Sequence, residues 1–151
     1  MENKFFKAVK VFENVTRIEG LGGVNAFLIE GKDRALLIDG LTGTGSLKDF
    51  VKELTSLPVI LVLTHGHIDH IGAAFEYGEC FMHPDDIAMM YSPMHSSREG
   101  RYGFATMGGQ VEGVTVDDVV PAVPVHQRQR RRHRQWIRKN CAAPSGSASA
   151  P

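Results

Sequence analysis

The stretch Val59-Ile60-Leu61-Val62-Leu63-Thr64-His65-Gly66-His67-Ile68-Asp69-His70 decides how the rest of the chain is read. Its first five residues are apolar without alternation, the pattern of a central strand covered on both faces. Three imidazoles and one carboxylate then fall within six residues. A buried strand thus delivers four metal-ligand side chains to its C-terminal end. Imidazole nitrogen together with carboxylate oxygen suits zinc or another divalent first-row ion. His65 and His67, two apart in an extended loop, can turn towards one ion. Asp69 and His70, adjacent at an expected helix start, can face a second. Two ions roughly 3.5–4 Å apart can share a hydroxide and clamp an attack, and binding lowers the pKa of water to about 7. The chemistry predicted is metal-assisted hydrolysis. The competing reading is a surface His-rich loop without metal.

Upstream, residues 8–19 alternate loosely, with Val9, Val11, Val15 and Ile18 as inward candidates. They predict one or two short antiparallel strands. Gly20-Leu21-Gly22-Gly23 is a turn. Residues 24–30 and 35–38 predict a hairpin around Gly31-Lys32-Asp33-Arg34, ending at Asp39-Gly40. Ser46 is placed to cap a helix in which Leu47, Phe50, Val51 and Leu54 share a face. Gly43-Thr44-Gly45-Ser46 could cradle an anion at that helix start. It lacks full phosphate-loop spacing and reads as turn plus cap. Downstream, a helix is predicted from residue 71, its positive end beneath Asp69 and His70. A short strand is predicted over residues 79–82 and a helix from Pro84 to residue 91. Residues 92–110 read as an irregular loop over the site. His83 reads as a helix cap. His95 reads as a solvated loop residue, with substrate contact as the alternative. Phe104 and Met107 are lid or core.

The 151 residues suffice for one domain with a core. Charge is uneven: all 17 acidic residues lie at or before Asp118, whereas residues 126–151 hold seven Lys and Arg and no acid. His126 to Gln135 contains no apolar residue, and residues 142–151 are only Ala, Pro, Ser and Gly. Neither piece can bury enough surface to offset ordering, so both read as a disordered tail behind a domain of residues 1–125. The Arg run would give non-specific nucleic-acid contacts at most. The alternative function is a non-catalytic fragment whose Arg-rich tail binds nucleic acid. Cys80 and Cys141 form no motif, the N-terminus carries no apolar leader, and no stretch reaches membrane-span length. These features predict a cytoplasmic protein without a membrane partner.

With Asn25-Ala26-Phe27-Leu28-Ile29 and Leu37-Ile38-Asp39-Gly40 preceding it in order, Thr64-His65-Gly66-His67-Ile68-Asp69-His70 resembles the metal-binding signature of the metallo-β-lactamase-fold hydrolases. His67 and His70 match the two-metal, glyoxalase-II-like subgroup. The resemblance covers residues 8–120 and implies the N-terminal portion of an αββα sandwich, an α/β (α+β) fold. It implies two zinc ions, His65 and His67 binding the first, Asp69 and His70 the second. Asp69 would also orient the nucleophile, and Asp39 would hold the ligands in orientation. A strand-end Asp that merely turns a loop competes with that role for Asp39. Metal-bound hydroxide would attack an ester, thioester, lactam or similar bond of a small-molecule substrate. The family's later ligands, two His and a bridging Asp, have no counterpart after Asp118. His126, His133 and Cys141 are not spaced to replace them. Two ligands per ion, where catalytic zinc takes three, imply weak metal binding and impaired turnover. The composition switch near Val125 is what a truncated or frame-shifted product would show. Half a sandwich would leave an apolar sheet face open.

Overall fold

The structure, a computed structural model, describes residues 1–107, 109 and 111–123. The predicted tail, with His126, His133 and Cys141, lies outside these residues. The hairpin signals build the sheet as expected. β1 (Phe6–Phe12) and β2 (Val15–Gly20) pair antiparallel, as do β2 and β3 (Asn25–Glu30) and β3 and β4 (Ala35–Ile38). β5 (Val59–Val62) pairs parallel to β4, giving the order β1-β2-β3-β4-β5. A parallel neighbour needs a crossover, and α1 (Leu47–Leu54) supplies it. Ile18 is fully buried, as its spacing predicts, whereas Val11 is 44% exposed. A register shift between Lys10 and Phe12 turns Val11 outward, and Phe6 reaches the core instead, its ring 5.2 Å from that of Phe50.

The register sorts the sheet into two unlike faces. Thr16, Leu28, Leu37 and Leu61 lie side by side across four strands, and all are buried beneath the helices. Arg17, Phe27, Ile38 and Val62 form the corresponding row on the other face, where none is buried. Among the described residues β5 is therefore buried on one face, not two. Its unbroken apolar run places Ile60 and Val62 on the open side, both half-buried.

Helix α1 is capped from two directions. Ser46 Oγ accepts from the Asp49 amide at 3.1 Å, as the sequence predicts. Glu76, on α2 (Ala74–Tyr77), supplies the rest. Its carboxylate accepts from the amides of Leu47 at 3.0 Å and Lys48 at 3.3 Å, and from Ser46 Oγ at 2.6 Å. The anion seat at Gly43-Thr44-Gly45-Ser46 is thus filled from within. Burial raises the Glu76 pKa despite these bonds.

Three local expectations are corrected. The helix after the His cluster begins at Ala74, not residue 71, and runs for one turn. The backbone that would have started it is engaged elsewhere: the Gly40 amide donates to the His70 carbonyl at 2.7 Å, and the Ala73 amide to the Gly40 carbonyl at 2.9 Å. The strand over 79–82 shrinks to a single bridge between Phe81 and Val62 just ahead of the helix-starting Pro84. The loop over 92–110 is mostly helical: α4 (Pro93–Ser96) and α5 (Arg98–Ala105) come after α3 (Ile87–Met90). Pro93 and Ser97 are helix starts here; Ser97 Oγ accepts from the Gly100 amide at 3.0 Å. Residues 84–86 form a 3₁₀ turn before α3, capped by His83 as predicted. Met107 is exposed and Phe104 half-buried.

Helix α5 buries Arg101 completely. Its guanidinium lies over the Phe75 ring, 4.8 Å from the centroid, and donates to the carbonyls of Thr42 and Val120. Arg98 donates to the Val119 carbonyl at 2.7 Å. Together they hold residues 117–120 against the 42–45 loop, where the Gly45 and Val120 amides bond to Asp118 and Gly43. Burial, and secondarily the charge of Arg98, draws the Arg101 pKa down to about 10. No described helix is long and apolar enough to cross a membrane.

Candidate metal centre

Two parallel strands end side by side, β4 at Ile38 and β5 at Val62, and the residues just beyond each end form the site. Asp39 adopts φ 66°, a left-handed conformation that Asp tolerates better than most residues. This turns its side chain back across the end of β5. Asp39 Oδ1 accepts from the Thr64 amide at 2.8 Å, and the Thr64 hydroxyl lies 2.9 and 3.0 Å from the two carboxylate oxygens. Asp39 Oδ2 is 2.9 Å from His70 Nδ1. The carboxylate is 7% exposed by residue and has three partners in the motif.

Thr64 extends the network. Its hydroxyl donates to Asp39, so it is free to accept from His65 Nδ1, 3.0 Å away. One carboxylate therefore fixes His70 directly and His65 through a hydroxyl. In both rings Nδ1 has a partner in this network, which in the neutral imidazole would leave Nε2 as the lone-pair nitrogen, the tautomer a metal ligand uses. Reading the residues alone passes over Thr64, although it stands between the strand and the first His. The signal is a hydroxyl at a strand end opposite a strand-end Asp.

The cluster is tight. The His65 ring lies 3.9 Å from His70 and 4.7 Å from His67, centroid to centroid. Asp69 Oδ2 stands 3.3 Å from His70 Nε2. Two donors on one tetrahedral zinc, each about 2.0–2.1 Å from it, stand roughly 3.3 Å apart. The Asp69–His70 pair therefore already has the spacing of two ligands of one ion, and the donor chemistry matches zinc. Among the described residues no three His, Cys, Asp or Glu side chains converge on one ion-sized point. His67 is exposed, while His65, Asp69 and His70 are half-buried.

The loop carrying these residues is pinned on both sides. Gly72 packs backbone to backbone against Thr42 and Gly43, leaving no room for a Cβ, and its amide donates to Leu41 at 2.8 Å. Gly66 is wedged against the backbone of Asp86 and Met90, and its amide donates to Asp86 Oδ1 at 3.2 Å. Its carbonyl meets Nδ1 of His95, 3.2 Å away. His95 is not a solvated loop residue. It sits on α4 with its ring 5.9 Å from that of His67. Cys80 takes no part in the site, and burial pushes its thiol up to about 11.

Comparison with known proteins places this arrangement. The chain is 30% identical over 84 residues to an uncharacterized protein of Mycobacterium tuberculosis, a match covering 50% of this chain and 38% of the relative. It is 29% identical over 86 residues to one of Mycobacterium leprae, covering 54% and 36%. Among solved structures, the metallo-beta-lactamase DIM-1 exposed to ceftazidime superposes with a TM-score of 0.50 at 17% identity, covering 60% of this chain and 48% of that one. A metallo-beta-lactamase from Hirschia baltica gives 0.50 at 22%, covering 58% and 47%. The chain thus spans less than half the length of each relative, and the two structural likenesses establish the fold. The family model of the metallo-beta-lactamase superfamily matches residues 20–134, a segment holding every strand-end residue described above. The chain belongs to the metallo-beta-lactamase superfamily.

Proposed function

We propose that this chain is a metal-dependent hydrolase acting on a small molecule through an ester, thioester, lactam or similar bond. The observation that carries the reading is the Asp39 network, which ties the Nδ1 atoms of His65 and His70 to one carboxylate and leaves both Nε2 atoms as donors. His65 and His67 would hold one divalent ion, and Asp69 and His70 a second, zinc being the metal the donor set suits. A bound ion supplies a water of lowered pKa and polarises the bond under attack. Asp39 holds the tautomer and aim of two imidazoles. Asp69, half-buried beside His70, is placed to accept a hydrogen bond from a water and orient it.

The described residues give two motif donors per ion, where catalytic zinc takes three. The test combines zinc titration of the full chain with a hydrolysis panel of thioester, lactone, ester and lactam. Zinc-dependent cleavage lost in Asp69→Asn would support the reading. Absence of any stoichiometric zinc binding would end it.

A further inference from the structure

We propose that Asp86 and His95 are positioning residues for the His65–His67 pair, gripping the residue that joins them; the inference rests on the metal reading above. The motif rings are not aimed alike. Thr64 and Asp39 engage Nδ1 of His65 and of His70. His67 is exposed, and no hydrogen bond among the described residues reaches its ring nitrogens. Its ring neighbours are His65 at 4.7 Å and His95 at 5.9 Å between centroids. Where the His67 ring stands is therefore set by its main chain, and on one side that main chain is Gly66.

Gly66 is buried, and residues 86–95 hold both peptide groups that meet at it. Its amide, in the peptide shared with His65, donates to Asp86 Oδ1 at 3.2 Å. Its carbonyl, in the peptide shared with His67, lies 3.2 Å from His95 Nδ1. The same Nδ1 lies 3.0 Å from the Met89 carbonyl. Carbonyl oxygen only accepts, so Nδ1 carries the proton and offers it to both. His95 thus ties α3 to the motif. On the far side, the His67 carbonyl accepts from the His70 amide at 3.0 Å. A buried peptide must be bonded somewhere. What is particular here is that two side chains of one segment grip the two planes that set the Cα–Cβ directions of both histidines.

Contact enforces the same register. A Cβ on Gly66 would stand 2.4 Å from the Asp86 carbonyl oxygen and 3.1 Å from the Met90 amide nitrogen. Glycine alone lets the two segments approach this closely. Asp39 and Thr64 therefore act on rings, and Asp86 and His95 on backbone. In this role neither Asp86 nor His95 touches the ion. A ligand held in place before the ion arrives loses less freedom on binding it. Removing support of this kind weakens metal sites by about 10–100-fold.

The experiment titrates the full chain with Zn²⁺ against a chromophoric chelator and follows amide hydrogen exchange of the zinc-free protein. Asp86→Ala and His95→Ala should each weaken zinc binding about tenfold. Asp86→Asn keeps a carbonyl oxygen for the Gly66 amide, and His95→Asn an N–H for the Gly66 carbonyl; both should recover most of the loss. In His95→Ala the Gly66 amide, whose own acceptor Asp86 is intact, should exchange faster, while Leu37 and Leu61 exchange as in wild type. Wild-type zinc affinity in either alanine variant overturns the inference and leaves the metal reading standing. So does a loss that asparagine does not rescue, which makes the cause charge or bulk. Unchanged exchange at Gly66, or equally faster exchange at Leu37 and Leu61, overturns it too, the second because the whole fold has then loosened. A wild-type chain that binds no zinc overturns the metal reading and this inference with it.

Discussion

The two faces of the sheet are built from similar residues and live in different surroundings. On one, Leu28, Leu37 and Leu61 are no more than 2% exposed beneath helices whose ends are capped and cross-tied. On the other, Phe27 is 37% exposed, and Leu36, Ile38, Ile60 and Val62 are half-buried with no helix or strand packed over them among the described residues. Composition alone does not mark which face of a strand is covered. The covering elements do, and here α1, capped by Glu76 of α2, packs Leu47, Phe50 and Val51 into the core with these leucines. The site grows from the strand ends rather than from either face. Its carboxylate network closes among residues 39 to 70.

The largest expected effect separates the faces directly. Leu37→Ala should cost about 3–4 kcal/mol by cavity formation, while Leu36→Ala, one residue away and facing out, should cost about 1 kcal/mol. Denaturant unfolding of both variants reads this. Equal costs would mean that something covers the open face in solution.

Next comes the helical cover. Arg101→Ala should cost about 2–4 kcal/mol, since it opens a cavity and leaves the Thr42 and Val120 carbonyls unpaired. Arg98→Ala, at the half-buried start of α5, should cost less than half as much, again by denaturant unfolding.

A third prediction concerns pH. The Glu76 pKa is raised in the folded state, so its protonated form is favoured by folding. Its contribution is largest below the unfolded value of 4.5 and declines as pH rises through the folded value. The stability difference between wild type and Glu76→Gln should therefore shift in favour of wild type as pH is lowered through that interval. Glu76→Ala, which removes all three capping bonds, should cost about 1–2 kcal/mol near neutral pH. Urea midpoints at a series of pH values test both.

The smallest effect lies on the open face. Phe27→Lys should change unfolding free energy by no more than about 0.5 kcal/mol. It should also lower self-association on concentration, seen by light scattering, because it interrupts an apolar row. A large loss of stability would show that the face is not open.

Much of this is legible in the residues. Turn chemistry at Gly31-Lys32-Asp33-Arg34 marks the hairpin, Ser46 the start of α1, and the apolar run ahead of it sets the His cluster at a strand end. The hidden part depends on partners distant in sequence. Glu76 caps a helix 28–30 residues upstream, and no local pattern announces it. His95 lies in the stretch 92–110, which reads as an irregular loop but is mostly helical. The unbroken apolar run into the motif overstates burial, because alternation is lost both when two faces are covered and when an open face is simply apolar. Asp39 is readable as a candidate. Its link to His65 requires Thr64, whose role emerges only once β4 and β5 stand side by side.

That last dependence bears on how the protein assembles. Asp39 and His70 are separated in sequence by the whole crossover through α1, and their contact requires the parallel pair to be in register. Parallel pairing across such a loop is a slow, non-local event. The carboxylate hub is therefore expected to form late, after the antiparallel meander, with φ-values near zero at Asp39. An interaction absent from the barrier acts on the rate of leaving the native state and not on the rate of reaching it. Zinc bound at this hub would accordingly lengthen the native lifetime while leaving refolding at its metal-free pace.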